Sequence, residues 1–303
     1  MVEKVRKAVF PAAGLGTRLL PATKAIPKAM LNLIDRPLIQ YAVDEARAVG
    51  IEHFVFVVGG NDNTIEEHFN GSERAKPTDH RVTSALGELN RDRSTLGTNS
   101  FTRQPAPLGL GHAVWCAREL IGDEAFAVLT PDVVMRGNPG CLAQILETYY
   151  ATGGNVVSVE ECSPSETSKY GIVGTGERIS DAAFRITGVV EKPGPASAPS
   201  NLKMSGRYVL QPQIFTQLAA HDFGFGGEIQ LSDALSRLAE MQSVFGHLFQ
   251  GRTFDCGSRK GLVAAGVALA LGDPELAAIV QHEIDAFTLQ AERAQLAFVY
   301  PNA

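Results

Sequence analysis

Cysteine is scarce in this chain, whose 303 residues contain only Cys116, Cys141, Cys162 and Cys256, with no Cys-x-x-Cys pair among them. Such spacing provides no zinc-finger arrangement. In a chain of this length it indicates reduced thiols, and we therefore expect a cytoplasmic protein.

Long apolar runs and an excess of positive charge are also missing. The longest apolar run, Gly261 to Gly272, is shorter than the roughly 20 residues that cross a bilayer as a helix, so we expect no transmembrane segment. The formal net charge is −6, which gives no general reason to expect nucleic acid or an acidic membrane as a partner. Apolar residues make up 45% and charged residues 20%, as in ordinary globular proteins.

The charge is distributed unevenly along the chain. Residues 1–40 contain seven Lys or Arg and two acidic residues. The remaining 263 residues contain 20 Lys or Arg and 31 acidic residues. A basic N-terminal region in an acidic protein indicates a localised anionic ligand.

Predicted strands and helices alternate in the first half of the chain. A strand at Ala8–Phe10 is followed by a helix that starts at Pro37 and runs up to Gly50, and then by a strand at Phe54–Val58. Such units pair parallel strands and stack into a Rossmann-like, doubly wound sheet with helices on both faces. The polar residues from Asn70 to Ser100 predict a surface excursion.

The remaining pattern predicts a mixed sheet in an α/β fold. Further strands are predicted at Phe101–Gln104, Ala125–Thr130, Val156–Glu160, Tyr170–Val173, Ile186–Val190, Arg207–Leu210 and Val244–Phe249. Further helices are predicted at His112–Leu120, Cys141–Tyr150, Gly227–Met241 and Lys260–Leu271, with another that Asp273 caps and Pro274 begins. We therefore expect a doubly wound mixed sheet with a smaller β-rich part and a C-terminal helical segment.

A glycine-rich loop, Ala12-Ala13-Gly14-Leu15-Gly16-Thr17-Arg18, follows the first strand directly. Glycines let the backbone approach phosphates, and the amides at a strand-to-loop junction form an anion cradle. The dinucleotide fingerprint needs a third glycine where Leu19 stands, and the phosphate loop of NTPases needs a Gly-Lys-Ser or Gly-Lys-Thr that this loop lacks. Three cations, Arg18, Lys24 and Lys28, are spaced along the proline-rich segment that follows, which suits a triphosphate or pyrophosphate.

The segment from Gly14 to Lys28 closely resembles the opening of the bacterial UTP–glucose-1-phosphate uridylyltransferases, or UDP-glucose pyrophosphorylases, in the sugar nucleotidyltransferase family. The resemblance continues in the family's order over about residues 4–270. It rests on the motifs Arg36-Pro37-Leu38-Ile39-Gln40-Tyr41, Gly109-Leu110-Gly111-His112-Ala113, Pro131-Asp132-Val133, Val190-Glu191-Lys192-Pro193, Gly206-Arg207-Tyr208-Val209-Leu210, Glu228-Ile229-Gln230-Leu231 and Asp255-Cys256-Gly257.

The resemblance implies an activity and a domain organisation. The activity is uridylyl transfer from UTP to α-D-glucose 1-phosphate, which gives UDP-glucose and pyrophosphate by an in-line displacement assisted by Mg²⁺. We expect a nucleotidyltransferase domain over residues 1–272, with a nucleotide-binding half at about 1–150 and a sugar-binding half at about 151–259, and a helical extension at 273–303. A homodimer or homotetramer is expected, with no nucleic acid or membrane partner.

Two carboxylates at strand ends are candidate metal ligands. Asp132 follows the strand Ala125–Thr130, and Asp255 follows the strand that ends near Phe249, where the ligands of parallel sheets gather. A carboxylate there can hold Mg²⁺, a hard cation that prefers oxygen ligands, although a turn or cap aspartate is the alternative for each. The resemblance makes the two residues paired magnesium ligands, although 123 positions separate them.

The resemblance assigns the remaining roles. Arg18 and Lys28 would stabilise the departing pyrophosphate, and Lys192 would orient the attacking sugar phosphate. The expected nucleotide-binding residues are Ala12, Ala13, Gly14, Gly16, Thr17, Gln104 and Gly109, of which the last two read the pyrimidine edge. The expected sugar-binding residues are Gly171, Glu191, Lys192 and Glu228.

From the residues alone, purely structural roles remain open for several of these positions. Glu191 and Lys192 fit a surface ion pair at a proline-stopped strand edge, and Glu228 fits an amphipathic helix start. His112 is, as a lone histidine, more often a cap or packing residue than a catalyst.

Two departures from the family's pattern leave the base preference open. Ala29 stands where the family usually carries a glutamate, and Pro105-Ala106-Pro107 gives the base-reading loop a different composition. The alternatives are therefore a sugar-1-phosphate nucleotidyltransferase that uses dTTP or CTP, and a weakly catalytic relative that binds UDP-sugar and regulates a partner. A nicotinamide-dependent oxidoreductase is disfavoured because its third glycine and acidic ribose contact are not in place.

Overall fold

The computed structural model describes residues 2–60, 63–70 and 97–299. The strands are β1 (Lys7–Pro11), β2 (Asn32–Leu33), β3 (Arg36–Pro37), β4 (His53–Gly59), β5 (Thr98–Gln104), β6 (Phe126–Leu129), β7 (Val133–Arg136), β8 (Asn155–Glu161), β9 (Gly171–Arg178), β10 (Ala183–Glu191), β11 (Leu202–Leu210), β12 (Val244–Leu248) and β13 (Arg252–Asp255). The helices are α1 (Leu38–Ala48), α2 (Thr64–Asn70), α3 (Leu110–Cys116), α4 (Arg118–Ile121), α5 (Cys141–Thr152), α6 (Ile214–Leu218), α7 (Leu231–Met241), α8 (Arg259–Ala270) and α9 (Pro274–Val299).

A nine-stranded mixed sheet runs through the molecule in the order β5-β4-β1-β6-β11-β8-β12-β10-β9. Strands β5, β4, β1 and β6 are mutually parallel, and β11 joins β6 in antiparallel fashion. The chain moves from β1 to β4 and β5 on one side and then returns to β6 on the other. Ligands of open α/β sheets bind outside the carboxyl ends of the strands at such a reversal, so the order places the candidate site beside the ends of β1 and β6.

Side chains alternate between the two faces of the sheet. Phe10 and Phe56 belong to a buried cluster that also contains side chains of α1 and α5. Val9 and Val55 belong to a second buried cluster, which contains side chains of α3 and α7. Because successive residues of a strand point to opposite faces, both faces are apolar and both are covered by helices, which confirms the predicted doubly wound α/β class.

Two predicted helices have different bounds in the structure. The helix predicted at His112–Leu120 begins at Leu110 and is interrupted at Ala117, so it forms α3 and α4. The helix predicted at Gly227–Met241 begins only at Leu231. Both Gly226 and Gly227 have φ near +71°, a left-handed conformation that cannot continue an α-helix, and they form a tight turn instead.

The sequence pattern also missed one two-stranded ribbon that matters for the site. Strands β7 and β13 pair antiparallel, apart from the large sheet. The expectation that Asp255 follows the strand ending near Phe249 is therefore wrong, because Asp255 is the last residue of β13. Short strands of four residues carry too little periodicity to be recognised in a single sequence.

The polar stretch predicted from Asn70 to Ser100 falls largely on residues 71–96, which lie outside the described residues. At its end, Thr98 to Ser100 belong to β5, so the predicted surface excursion is wrong for those three positions. The strand predicted at Tyr170–Val173 begins one residue later, at Gly171, and continues as β9 to Arg178. The strand predicted at Arg207–Leu210 is the last part of the longer strand β11.

The predicted start of the C-terminal helix is confirmed. Asp273 Oδ1 accepts hydrogen bonds from the backbone N–H groups of Glu275 at 2.9 Å and Leu276 at 3.1 Å, so it caps α9. In the described part of the chain, no single helix is long and apolar enough to span a membrane; α8 and the first part of α9 reach that threshold only as a pair, with a bend of 120° between them.

Candidate active site

A cavity of about 610 Å³ opens beside the carboxyl ends of β1 and β6. Most of the predicted site residues line it, namely Ala12, Ala13, Gly14, Gly16, Thr17, Arg18, Lys28, Gln104, Gly109, Asp132, Glu228 and Asp255. Ala29, the position of the departure from the family's pattern, is buried and also lies on its wall. Lys24 does not line this cavity but faces a neighbouring one.

The glycine loop is folded back so that its cations face the cavity. Gly16 has φ +64°, and a Cβ atom there would lie 2.9 Å from Thr23 Cγ2 and 3.1 Å from Lys28 Cβ. The Thr23 hydroxyl donates a hydrogen bond to the Gly16 carbonyl over 2.8 Å. Glycine is therefore needed at position 16 both for its conformation and for the close approach of the segment that carries Lys28.

The pairing of β7 with β13 brings the two distant aspartates together. In this ribbon Asp255 is opposite Val133, the residue that follows Asp132. The backbone N–H of Gly257 donates to Asp255 Oδ1 over 3.0 Å and orients that carboxylate. A Cβ atom built on Gly257 would lie 2.7 Å from Asp132 Oδ2 and 2.9 Å from Asp255 Oδ1, so both carboxylates converge on the same small space.

Each of the two carboxylates is paired with a cation from the N-terminal loop. Lys28 Nζ lies 2.5 Å from Asp132 Oδ2, and Arg18 Nη1 lies 3.1 Å from Asp255 Oδ2. Burial raises the pKa of Asp132, but the charge of Lys28 and its hydrogen bond together outweigh burial, so this pKa lies below its usual value. Asp132 is therefore an ionised oxygen donor at neutral pH.

The donor chemistry of this cluster fits a magnesium ion. In the described residues no group of three or more His, Cys, Asp or Glu side chains is placed to hold a metal, so these two carboxylates are what the chain offers here. Mg²⁺ is commonly bound by one or two carboxylates, with waters and substrate phosphates completing its coordination. Two convergent carboxylates that line the same cavity as a glycine loop meet that requirement.

Arg207 fixes the loop that carries Asp132. Its side chain is 1% exposed, and it donates to the carbonyl oxygens of Thr130 at 3.1 Å and Val133 at 2.9 Å, on either side of Asp132. Arg207 Nε also donates to Glu45 Oε2 on α1 over 2.9 Å. The aspartate is thus held by a buried ion pair that joins the sheet to a helix.

The opposite wall of the cavity carries Gln104 at the end of β5. Its side-chain Nε2 lies 2.9 Å from the Gly109 carbonyl oxygen and 3.1 Å from His112 Nδ1. Gly109 has φ +109°, and a Cβ atom there would lie 2.7 Å from the Ile229 carbonyl oxygen, so glycine is required. Glu228 precedes Ile229 on the same segment and lines the cavity.

The other three predicted sugar-site residues form a cluster that does not line the cavity directly. Glu191 is opposite Gly171 in the pairing of β9 with β10, and its Oε2 accepts a hydrogen bond from the Ser232 hydroxyl over 2.7 Å. Lys192 has φ +48°, and its Nζ lies 3.3 Å from Glu191 Oε1 and 5.0 Å from the ring centre of Phe225. Tyr170, which does line the cavity, adjoins this cluster through Gly171.

Sequence reasoning missed Lys203, a cationic residue that lines the cavity. Its Nζ lies 3.4 Å from Glu160 Oε2 on the neighbouring strand and 4.7 Å from the ring centre of Tyr170. The available signal was a lysine between the apolar residues Leu202 and Met204, three residues before Gly206.

The cysteines supply no nucleophile to this site. All four are free thiols, as predicted. Burial, and then the charges of Asp132 and Asp255, raise the pKa of Cys256 to about 12, so its thiol stays protonated at neutral pH.

Comparison with known proteins identifies the relatives of this chain. Residues 7–270 match the nucleotidyl transferase family. A UTP–glucose-1-phosphate uridylyltransferase of Bacillus subtilis is 42% identical over 280 residues, which cover 91% of this chain and 94% of that protein. A protein of the same name from Komagataeibacter xylinus is 43% identical over 261 residues, covering 86% and 92%.

Solved structures show the same architecture. A UDP-glucose pyrophosphorylase in complex with UDP-glucose matches with a TM-score of 0.81 at 38% identity, over 89% of this chain and all of that one. A UTP-bound UGPase from Acinetobacter baumannii matches with a TM-score of 0.78 at 35% identity, over 93% of this chain and 99% of that one.

Proposed function

The chain belongs to the nucleotidyl transferase family and transfers the uridylyl group of UTP to α-D-glucose 1-phosphate, giving UDP-glucose and pyrophosphate; we propose that it does so by a magnesium-assisted in-line displacement at this cavity. The observation that supports the mechanism is the convergence of Asp132 and Asp255, each beside a cation, next to the glycine loop.

The reaction needs no covalent enzyme intermediate. A phosphate oxygen of glucose 1-phosphate attacks the α-phosphorus of UTP, and the bond between that phosphorus and the pyrophosphate oxygen breaks. The sugar phosphate is already an anionic nucleophile, so the chain has to position it and neutralise charge. The backbone of the glycine loop binds the triphosphate, and Arg18 and Lys28 stabilise the departing pyrophosphate.

Nucleotidyl transferases of this family generally use a divalent metal ion, and we assign Mg²⁺ to Asp132 and Asp255. When bound, the ion neutralises phosphate charge as a Lewis acid. The two aspartates act as its ligands, Gly257 leaves space beside them, and Arg207 keeps Asp132 in place through the carbonyl groups that flank it.

The sugar end of the substrate belongs, in this proposal, to the cluster around Glu191. The Glu191 carboxylate accepts hydrogen bonds from glucose hydroxyls, as does Glu228, and the Gly171 backbone contacts the sugar. Lys192 orients the attacking phosphate. Lys192 Nζ lies 3.3 Å from Glu191 Oε1, so the cation for the phosphate and the acceptor for the hydroxyls are next to each other.

We also propose a homodimer or homotetramer in the cytoplasm. Free cysteines suit a reducing compartment. Large apolar side chains are exposed on the last two helices, among them Val263 at 67% and Phe287 at 74%, and a second copy of the chain would cover them. Light scattering on the wild type and on Phe287→Ser tests this proposal, since a wild-type monomer would contradict it.

A coupled assay tests the reaction. Pyrophosphatase converts released pyrophosphate to phosphate, which is measured with UTP and glucose 1-phosphate and, in parallel, with CTP or dTTP. We expect phosphate release to be fastest with UTP and to depend on both substrates. Faster release with CTP or dTTP would favour the rival base, and UDP-glucose binding without release would favour a regulatory protein.

A further inference from the structure

The side-chain amide of Gln104 is held in one orientation by two hydrogen-bond partners. The Gly109 carbonyl oxygen, 2.9 Å away, can only accept, so the amide must turn its NH₂ group towards it. The same NH₂ group lies 3.1 Å from His112 Nδ1. Both amide hydrogens are therefore used within the protein.

The tautomer of His112 follows from this geometry. Because Nδ1 accepts a hydrogen bond from the Gln104 NH₂ group, it carries no proton, and the neutral ring has its proton on Nε2. Burial, and then the neighbouring His221, lower the pKa of His112, which favours the neutral ring. His112 is 5% exposed and stacks on Trp115 with ring centres 6.0 Å apart, so the ring is fixed in position.

The remaining polar atom of the amide, Gln104 Oε1, makes no hydrogen bond within the described residues. Gln104 therefore offers the cavity an acceptor and no donor. Uracil carries a donor at N3–H, whereas cytosine has an unprotonated, accepting nitrogen at position 3 and its donor is the amino group at C4. An accepting carbonyl that faces position 3 of the base pairs with uracil and meets an acceptor in cytosine.

Resting on the proposed function, and on the expectation from the family resemblance that Gln104 reads the pyrimidine edge, we infer that His112 is a positioning residue for base selection: it keeps the Gln104 carbonyl turned to the nucleotide and so favours UTP over CTP. His112 does not touch the substrate in this scheme. Without it the amide retains only the Gly109 partner and loses the constraint on its second hydrogen.

Thymine carries the same N3–H as uracil, which provides an internal control. If His112 no longer orients the Gln104 amide, the preference for UTP over CTP falls. The preference for UTP over dTTP stays unchanged. A general structural lesion would instead lower the use of all three nucleotides in proportion.

The test compares His112→Leu with His112→Asn, whose amide oxygen occupies the place of Nδ1. Values of kcat/KM and equilibrium dissociation constants are measured for UTP, dTTP and CTP, and thermal melting checks folding. We expect His112→Leu to lower the UTP:CTP preference about 10-fold, the worth of roughly one hydrogen bond. His112→Asn should retain it. If His112→Leu fails to fold, His112→Gln replaces it in the test. The amide of that variant reaches the position of Nε2 rather than that of Nδ1, so the hydrogen bond to Gln104 is still lost.

A double-mutant cycle with Gln104→Leu shows whether His112 acts through the amide. We expect Gln104→Leu to lower the UTP:CTP preference, and His112→Leu to add nothing in that background. Additive losses, equal losses for all three nucleotides, or an unchanged preference in either single variant would overturn the inference. Nucleotide binding separates it from the proposed reaction, because a wild type that prefers UTP in binding yet releases no pyrophosphate contradicts only the reaction.

Discussion

Lys28 Nζ donates a hydrogen bond to Asp132 Oδ2 over 2.5 Å, so a cation proposed to bind pyrophosphate forms an ion pair with a carboxylate proposed to bind metal. Arg18 and Asp255 repeat this relationship at 3.1 Å. In the proposed mechanism, the triphosphate would pair with the two cations and the metal ion with the two carboxylates, so each of the four charges would exchange its present partner for a new one.

Removal of the Lys28 charge tests its role in transition-state stabilisation. We expect Lys28→Ala to lower kcat by about 10²- to 10³-fold, the effect of deleting a group that stabilises developing charge. Lys24→Ala is the matched control, since Lys24 lies on the same segment but does not line the active-site cavity. Near-normal kcat in Lys28→Ala would contradict the assignment.

Removal of either aspartate charge tests the metal assignment. We expect Asp132→Asn and Asp255→Asn to lose magnesium-dependent activity with unchanged circular dichroism, because each retains its shape but loses an anionic ligand. Activity is measured across a magnesium titration, with the exposed Asp181→Asn as control. A wild-type titration curve in both site variants would exclude the pair as ligands.

Lys192→Ala separates sugar binding from nucleotide binding. We expect KM for glucose 1-phosphate to rise about 10-fold or more, since a charge-assisted hydrogen bond to the phosphate is lost. The KM for UTP should change little and serves as the control within the same assay. Equal increases in both KM values would indicate a structural effect instead.

The buried pair of Arg207 and Glu45 makes a separate prediction about stability. We expect Arg207→Met to lower the free energy of unfolding by about 3–5 kcal/mol, because it leaves the Glu45 carboxylate, 12% exposed, without its partner. Urea unfolding measures the change. The double variant Arg207→Met with Glu45→Leu should recover part of the loss, and a double variant as unstable as the sum of both single changes would argue against the pair.

His247 makes the stability depend on pH. Burial lowers its pKa, and its ring is held by Thr148 Oγ1 at 2.8 Å. The unfolded chain therefore takes up a proton at His247 as the pH falls through about 6.5, whereas the folded chain does so only at a lower pH. Stability is at its plateau above that pH and declines below it, with a slope of at most about 1.4 kcal/mol per pH unit for this residue.

Urea unfolding at a series of pH values, in wild type and His247→Asn, measures this contribution. The variant should lose less stability between neutral and mildly acidic pH. His53 and His112 also have lowered pKa values and remain in both proteins, so the difference between the two curves reports His247 alone. Parallel curves would show that His247 does not contribute.

Local patterns were sufficient to predict much of this molecule. The strands around Phe10 and Phe56 are apolar and follow recognisable turn or helix signals, and Asp273 caps its helix as its sequence position indicates. Helix starts were less predictable. Helix α7 begins only at Leu231, because Gly226 and Gly227 adopt left-handed conformations that cannot continue a helix. No distinctive residue pattern around a glycine indicates such a conformation in advance.

The sequence by itself determined the α/β class, the glycine loop with its cations, and many of the residues that line the cavity, although not Lys203. Only the tertiary structure decided that Asp132 meets Asp255 and that His112 reaches Gln104. It also decided that Arg207 joins the loop that carries Asp132 to helix α1. The reason is physical. Residue type and periodicity determine the structure of neighbouring residues only, whereas strand register and buried hydrogen bonds join residues that are far apart in the sequence.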